Sequence, residues 1–398
     1  MRKTTFGWLA MMTTLVVAFC SAAGPAAAAP VATAAGTSTR LLGLNGVSCV
    51  SAKFCAAVGS QVASAAPGSA VVPVTMIWNG ARWRETATPV PTGQSQGALS
   101  SVSCRSAAYC VAIGYVGAGA RFRPLAETWR GKAWSASALP TPTAYEGPAY
   151  ADGPVSCGAV GHCVAIVGYR GTETLTGGTW TLRVVPLPKG NTGGSVAAVS
   201  CVSATSCVLG GSYGKAKGWS LLFESWNGKG FTQLKVSSMP AATIALVSSV
   251  SCTSAKNCVA VGTSWADTPS TTGFSELWNG TAWSLASVKG PQNTRLQSVS
   301  CASATRCVAA GSTTVYAANG TVESSHALAL AYAARTWTVT SVPALAHGAS
   351  SEFSTVSCPS ASYCGAVGSG GGAGDSSLSS AALTGFWNGQ TWKLVWAS

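Results

Sequence analysis

Cysteine is the residue whose spacing in this 398-residue chain is most regular. Fourteen of its fifteen cysteines form pairs six positions apart: Cys49 with Cys55, Cys104 with Cys110, Cys157 with Cys163, Cys201 with Cys207, Cys252 with Cys258, Cys301 with Cys307, and Cys358 with Cys364. Such pairs could do one of two kinds of chemistry. Thiolates could hold zinc, but zinc wants four ligands and usually a tighter knuckle, and each pair here stands alone in its own segment. Oxidised, they would make seven local disulfides, the reading that suits a chain exported to an oxidising compartment. No metal or other cofactor is expected.

Acids and bases are sparse. The chain has eleven carboxylates and three histidines, His162, His326 and His347. Glu127, Glu224 and Glu276 each stand two residues before a Trp, and that recurrence marks scaffold positions turned toward a neighbouring strand. The other acids (Glu85, Glu146, Asp152, Glu173, Asp267, Glu323, Glu352 and Asp375) fall outside that register. Glu146 and Asp152 share one connection and could divide acid and base roles as in a glycosidase. A polar loop makes solvated charges the simpler reading. His162 fills a turn position taken elsewhere by Phe54, Tyr109, Ser206, Asn257, Arg306 and Tyr363, so it reads as a variable turn residue. No catalytic constellation is visible, and a non-catalytic protein is expected.

The elements that must position these residues repeat with them. Successive first cysteines lie 44 to 57 residues apart, a period that points to propellers or solenoids. One clear copy runs from Ser249 to Pro291. Val250-Ser251-Cys252 and Cys258-Val259-Ala260-Val261-Gly262 are short, β-branched, Gly-bounded runs and read as strands. Glu276-Leu277-Trp278-Asn279-Gly280, followed by Trp283, reads as a hairpin: Asn-Gly tolerates positive φ, and a four-residue loop sets the two Trp opposite each other. Nothing repeats at 3.6 residues. Four strands in each of seven units predict an all-β, seven-bladed β-propeller with one disulfide per blade.

On these motifs the chain resembles the kelch repeats of galactose-oxidase-type propellers, in a cysteine-paired form found in secreted actinobacterial repeat proteins. The resemblance covers roughly residues 41–398. It departs from kelch in having a single Gly (Gly59, Gly114, Gly262, Gly311, Gly368) where kelch has two, with only Gly210-Gly211 doubled. It implies a fold, and fold alone does not carry function. Propeller enzymes match poorly: no Asp box of Ser-x-Asp-x-Gly-x-x-Trp type occurs, and a galactose-oxidase-like copper site would need a free cysteine.

The predicted organisation is a secretory leader over 1–29, a lead-in over 30–40, and a propeller over 41–398. Arg2, Lys3, the apolar run to Phe19 and Ala26-Ala27-Ala28 supply the leader's basic, apolar and small-residue parts. Its removal would take away Cys20, the one unpaired cysteine. The units span about 41–92, 93–148, 149–191, 192–243, 244–292, 293–349 and 350–398. Units 3 and 6 are degenerate: Leu175 and Gly177 replace Trp and Gly in one, and Tyr332 replaces the first Trp in the other. No membrane span is expected after the leader. Whether the ring closes in frame or with a strand from 31–46 stays open.

In an up-and-down blade, the uniform Cys-x5-Cys and Asn-Gly turns share one face, and the variable connections share the other. Function tends to sit on variable loops over a rigid frame. The connections between second and third strands offer Tyr115 with Arg121 and Arg123, Tyr169 with Arg170, and Tyr213 with Lys215, Lys217 and Trp219, then Trp265 and Tyr316. Aromatic platforms beside cations suit sugar stacking and pairing with carboxylate or phosphate. Net charge is +13, or +11 without Arg2 and Lys3, a diffuse excess that favours anionic polymers. The expected role is a secreted monomer that binds an extracellular polysaccharide, an anionic wall polymer or a protein. A carbohydrate-active hydrolase or lyase, or a purely structural envelope protein, are the alternatives. Nucleic acid is not expected, since no basic cluster or recognised motif supports it.

Overall fold

The computed structural model describes residues 42–62, 68–118, 121–140, 153–216, 218–236, 244–265, 270–317, 319–345, 349–371 and 381–397. They form seven four-stranded antiparallel sheets, each made of four consecutive strands. The blades begin at Leu42, Gln96, Val155, Gly194, Ile244, Thr294 and Ser350, and end at Thr86, Ala138, Val184, Gln233, Ala286, Thr340 and Trp396. The predicted leader, the lead-in, Glu146 and Asp152 lie outside the described residues. Among the described residues, no helix is long and apolar enough to cross a membrane.

Blade 5 shows how the sequence builds the unit. Its strands are Ile244–Ser254, Asn257–Trp265, Thr272–Trp278 and Trp283–Ala286. Cys252 and Cys258 face each other across the first hairpin, and Trp278 faces Trp283 across the last. All seven expected disulfides are present, one in each blade. Cys49 is joined to Cys55, Cys104 to Cys110, Cys157 to Cys163 and Cys201 to Cys207. Cys252 is joined to Cys258, Cys301 to Cys307 and Cys358 to Cys364. The paired Cα atoms lie 3.9 to 4.1 Å apart. In the chain-entropy model, closing so short a loop contributes roughly 2 kcal/mol per bond. The second-strand cysteines do more than cross-link: Cys55, Cys110, Cys163, Cys207, Cys258, Cys307 and Cys364 are all buried in the cores between blades. These pairs are frame, and none is left to hold a metal.

The recurrent glycine of the second strand answers to a β-bulge. In six blades the first strand carries an extra residue, as between Val247 and Ser249 in blade 5. A Cβ on the partner glycine, such as Gly262 or Gly311, would overlap the carbonyl oxygen of the bulged strand. One glycine is enough for that purpose. In the Asn-Gly hairpins only the glycine takes a positive φ (Gly80 95°, Gly228 89°, Gly280 97°, Gly389 95°). The Asn instead accepts two backbone N–H bonds through its side chain, as Asn388 does from Gln390 (2.9 Å) and Thr391 (2.8 Å).

What joins the blades is the serine of Val-Ser-Cys. Each Ser Oγ accepts a hydrogen bond from the backbone N–H of the first cysteine in the next blade. Ser48 accepts from Cys104 (2.9 Å), Ser103 from Cys157 (3.0 Å), Ser156 from Cys201 (2.9 Å) and Ser200 from Cys252 (2.9 Å). Ser251 accepts from Cys301 (2.9 Å), Ser300 from Cys358 (2.8 Å), and Ser357 from Cys49 (2.8 Å). The last bond closes the ring. Blade 1 supplies its own first strand, and Leu44, Val47 and Trp83 pack on Val367 and Ala382 of blade 7. Among the described residues the closure is in frame, each sheet being built of four consecutive strands.

Candidate functional site

Four carboxylates of this chain are buried, which makes them the first to examine for acid–base chemistry. Glu127, Glu224 and Glu276 are buried on the third strands of blades 2, 4 and 5. Glu173 is buried at the same register in blade 3, two residues before Leu175, which pairs with Trp180 as the first Trp does elsewhere. It belongs to the scaffold series, contrary to the sequence reading. Substitution of the marker Trp by Leu175 hid it.

Side chains alternate along a strand, so each of these acids shares a face with the apolar residues two positions away. Leu125 and Trp129 pack on Ala56 and Val58 of blade 1, which places Glu127 in the interface between blades 1 and 2. By the same argument Glu173, Glu224 and Glu276 lie in the next three interfaces. Both carboxyl oxygens of Glu127 and Oε2 of Glu224 are sealed from solvent without a hydrogen-bond partner. Burial disfavours the charged form, and pushes Glu127 up to about 8 and Glu224 up to about 7. Neither residue lines either of the two grooves described below. They are buried acids of the frame.

The two cavities described are shallow grooves beside blade 1. One, of about 420 Å³, is lined by Gln61, Glu85, Thr86 and Thr88, with Gln61 Nε2 donating to Glu85 at 3.0 Å. The other, of about 310 Å³, runs past Thr88, Trp129, Lys132 and Trp134. Among the described residues no cluster of His, Cys, Asp and Glu could hold a metal. His326 is engaged with Ser324, at 3.0 Å from Nε2.

The variable face sorts the predicted aromatic residues. Tyr169 of blade 3, Trp219 of blade 4 and Tyr316 of blade 6 are 40 %, 41 % and 45 % exposed, and Trp265 of blade 5 is half-buried between them. Each stands at the edge where the second strand leaves or the third begins, so four successive blades present one aromatic apiece. Tyr213 is different and corrects the sequence reading: it is buried in the core between blades 3 and 4, with Lys215 Nζ 5.5 Å over its ring. Tyr115 is half-buried, edge-on to Phe122 at 5.3 Å. Arg123 is exposed, and Arg170 donates to the carbonyl of Val185 at 3.3 Å. Lys217 and the side chain of Arg121 lie outside the described residues.

The uniform turns form the opposite face, and here the sequence reading missed something. The two turns of a blade pack on each other: Gly280 of one lies against Lys256 of the other, and Gly80 against Lys53. Trp78, Trp129 and Trp278 donate their indole N–H to the carbonyls of Ala52, Ala107 and Ala255 in the adjacent turn, at 3.0 to 3.1 Å. Eight basic residues lie in or next to these turns, all exposed. No Asp or Glu does.

No family model matches the chain, and no curated protein matches it. The fold does match solved structures. An ulvan lyase described as a new polysaccharide lyase family matches with TM-score 0.52 at 8% identity, over 85% of this chain and 91% of that one. YCF48 bound to a D1 peptide matches with TM-score 0.45 at 11% identity, over 87% and 93%. KlAtg21 in complex with the coiled coil of AgAtg16 gives 0.48 at 10% identity, over 89% and 98%. At such identities, likeness extends to the fold alone.

Proposed function

We propose that the protein is a secreted, non-catalytic binding module that holds an extracellular polysaccharide on its variable face. The observation that carries this reading is the arc of Tyr169, Trp219, Trp265 and Tyr316 on four successive blades. Exposed rings held at strand ends are pre-organised, so a sugar chain stacking across them costs little conformational entropy. Arg123 and Lys215 stand on the same face and suit carboxylate or sulfate substituents. The seven disulfides fit an oxidising, extracellular setting. That Glu127 and Glu224 are buried and lie outside both described grooves supports binding over hydrolysis.

The test is retention on a panel of immobilised polysaccharides at high salt. Trp219→Ala with Tyr316→Ala should weaken binding of the retained polymer at least about 10-fold, since each stacked aromatic is worth on the order of 1 kcal/mol. The melting temperature should not change, because both rings are exposed. Unchanged retention, or a loss of binding that tracks a loss of stability, would remove the arc from consideration.

A further inference from the structure

One face of this protein carries exposed bases and no acid. Lys53, Lys256 and Arg306 come from the turns between first and second strands. Arg82, Arg130, Lys132, Lys229 and Arg335 come from the turns between third and fourth strands. All are exposed, and they are spread over blades 1, 2, 4, 5 and 6. Of the eleven acids, four are buried in the blade interfaces, and none is in or next to a turn of this face. Among the described residues, the other side carries Arg170, Lys189, Lys235 and Lys289 at its connections, together with the exposed acid Glu323 at the start of a third strand.

The turn face also lacks what the variable face has. The aromatics at its turns are buried or half-buried: Phe54, Tyr109, Tyr363 and the Trp pairs. It offers no exposed ring for stacking, and the turns bring no carboxylate to neutralise the bases. Recognition there rests on charge and on the donor geometry of Arg and Lys. Arg335 adds a local sign of this demand. It sits at φ 65° beside Ala334 at φ 48°, in a two-residue hairpin where blade 3 uses Gly177 and Gly178. A non-Gly residue in that region is strained, yet an arginine is placed there, exposed to solvent.

We infer that the turn face is a second binding surface, independent of the aromatic arc, for a linear anionic glycopolymer bearing phosphodiester or carboxylate groups. Bases distributed over five blades suit a chain laid across the disc better than a compact ligand, which would need converging groups. The binding is electrostatic and falls steeply with ionic strength. Sugar stacking on the opposite face would survive salt, so either surface can fail in experiment without the other.

The experiment compares two sets of neutralisations in the full chain with intact disulfides. One set is Arg82→Gln, Lys132→Gln, Lys229→Gln and Arg306→Gln, on the turn face. The other removes the same charge from the variable side: Lys189→Gln, Lys235→Gln, Lys289→Gln and Arg295→Gln. Affinities are measured at low and high salt for poly(glycerol phosphate), polygalacturonate and a short DNA duplex. The turn-face set should weaken binding to the anionic glycopolymers about 30-fold at low salt, given the usual worth of exposed charge pairs, and the other set less than about 3-fold. Whichever glycopolymer binds more tightly identifies phosphodiester or carboxylate as the source. Equal losses in the two sets would reduce the effect to net charge and overturn the inference. Tighter binding of the duplex than of either glycopolymer, through the same residues, would overturn the assignment of partner. Should the fourfold variant lower the melting temperature, the single substitutions Lys132→Glu and Lys229→Glu, both in exposed turns, are read in the same way.

Discussion

Blades 2 to 5 and the remaining three solve one packing problem in two ways. At the third-strand position facing the preceding blade, blades 2 to 5 carry Glu127, Glu173, Glu224 and Glu276. Blades 6 and 1 carry Leu330 and Met76 there. Blade 7 has Gly385, where a Cβ would lie 2.7 Å from the Phe353 ring that fills the space. The frame therefore accepts an apolar side chain at this position, and a carboxyl is not required to build a blade. Where a carboxyl is present it costs stability unless it stays protonated.

The largest effect should come from exchanging the two solutions. Leu330→Glu should cost about 3 kcal/mol or more at pH 8, because it buries a new ionisable group among Val259, Val261 and Tyr332. Glu127→Leu should stabilise the protein at the same pH by about 2 kcal/mol. The sign follows from linkage. The folded pKa of Glu127, about 8, lies above its ordinary value of 4.5, so the fold binds the proton more tightly than the unfolded chain does. Its contribution is fully present below pH 4.5 and is lost as pH rises through 8. Denaturant unfolding of the wild type from pH 5 to 9 should show declining stability, and Glu127→Leu should flatten that decline. A wild-type curve that rises over this range would refute the assignment.

A smaller effect concerns the second Trp of the hairpin. Trp134 and Trp392 donate to Thr86 (3.1 Å) and Thr340 (3.0 Å) of the preceding blade. Trp83, Trp283 and Trp337 are buried with the indole N–H unpaired. The preceding blades have Val395, Leu234 and Ala286 where the acceptor threonine would stand. Thr340→Ala should cost about 1 to 2 kcal/mol, and Ala286→Thr should add about 1 kcal/mol by giving Trp337 a partner. Thermal melts of both variants test this, and a stabilised Thr340→Ala would contradict it.

The difference between the two groups of blades should vanish at the serine clasp. Ser103→Ala, between the blades of the acidic group, and Ser300→Ala, outside it, should each cost about 1 kcal/mol. Unequal costs would mean that the clasp is coupled to the acids nearby.

Much of the frame was legible in the chain. Period, paired cysteines, short apolar runs and Trp-bracketed hairpins are local signals, repeated seven times. The candidate site was legible only in part. Tyr169, Trp219 and Tyr316 are exposed as expected, but Tyr213 has the same sequence context and is buried, because alternation within a strand does not say which neighbour covers it. The basic turn face could not be seen as a cluster, since Lys53 and Arg335 meet on one face only after the ring has formed.

The blade is written in the chain: where its strands run, which cysteines join, and where its hairpins turn. All of these depend on residues close together in the chain. The fold adds what passes between blades: the Ser–Cys clasp, the in-frame closure of Ser357 on Cys49, the burial of Glu127, and the gathering of exposed bases on the turn face. Those contacts join residues about fifty or more positions apart, and they exist only when each blade is covered by the next.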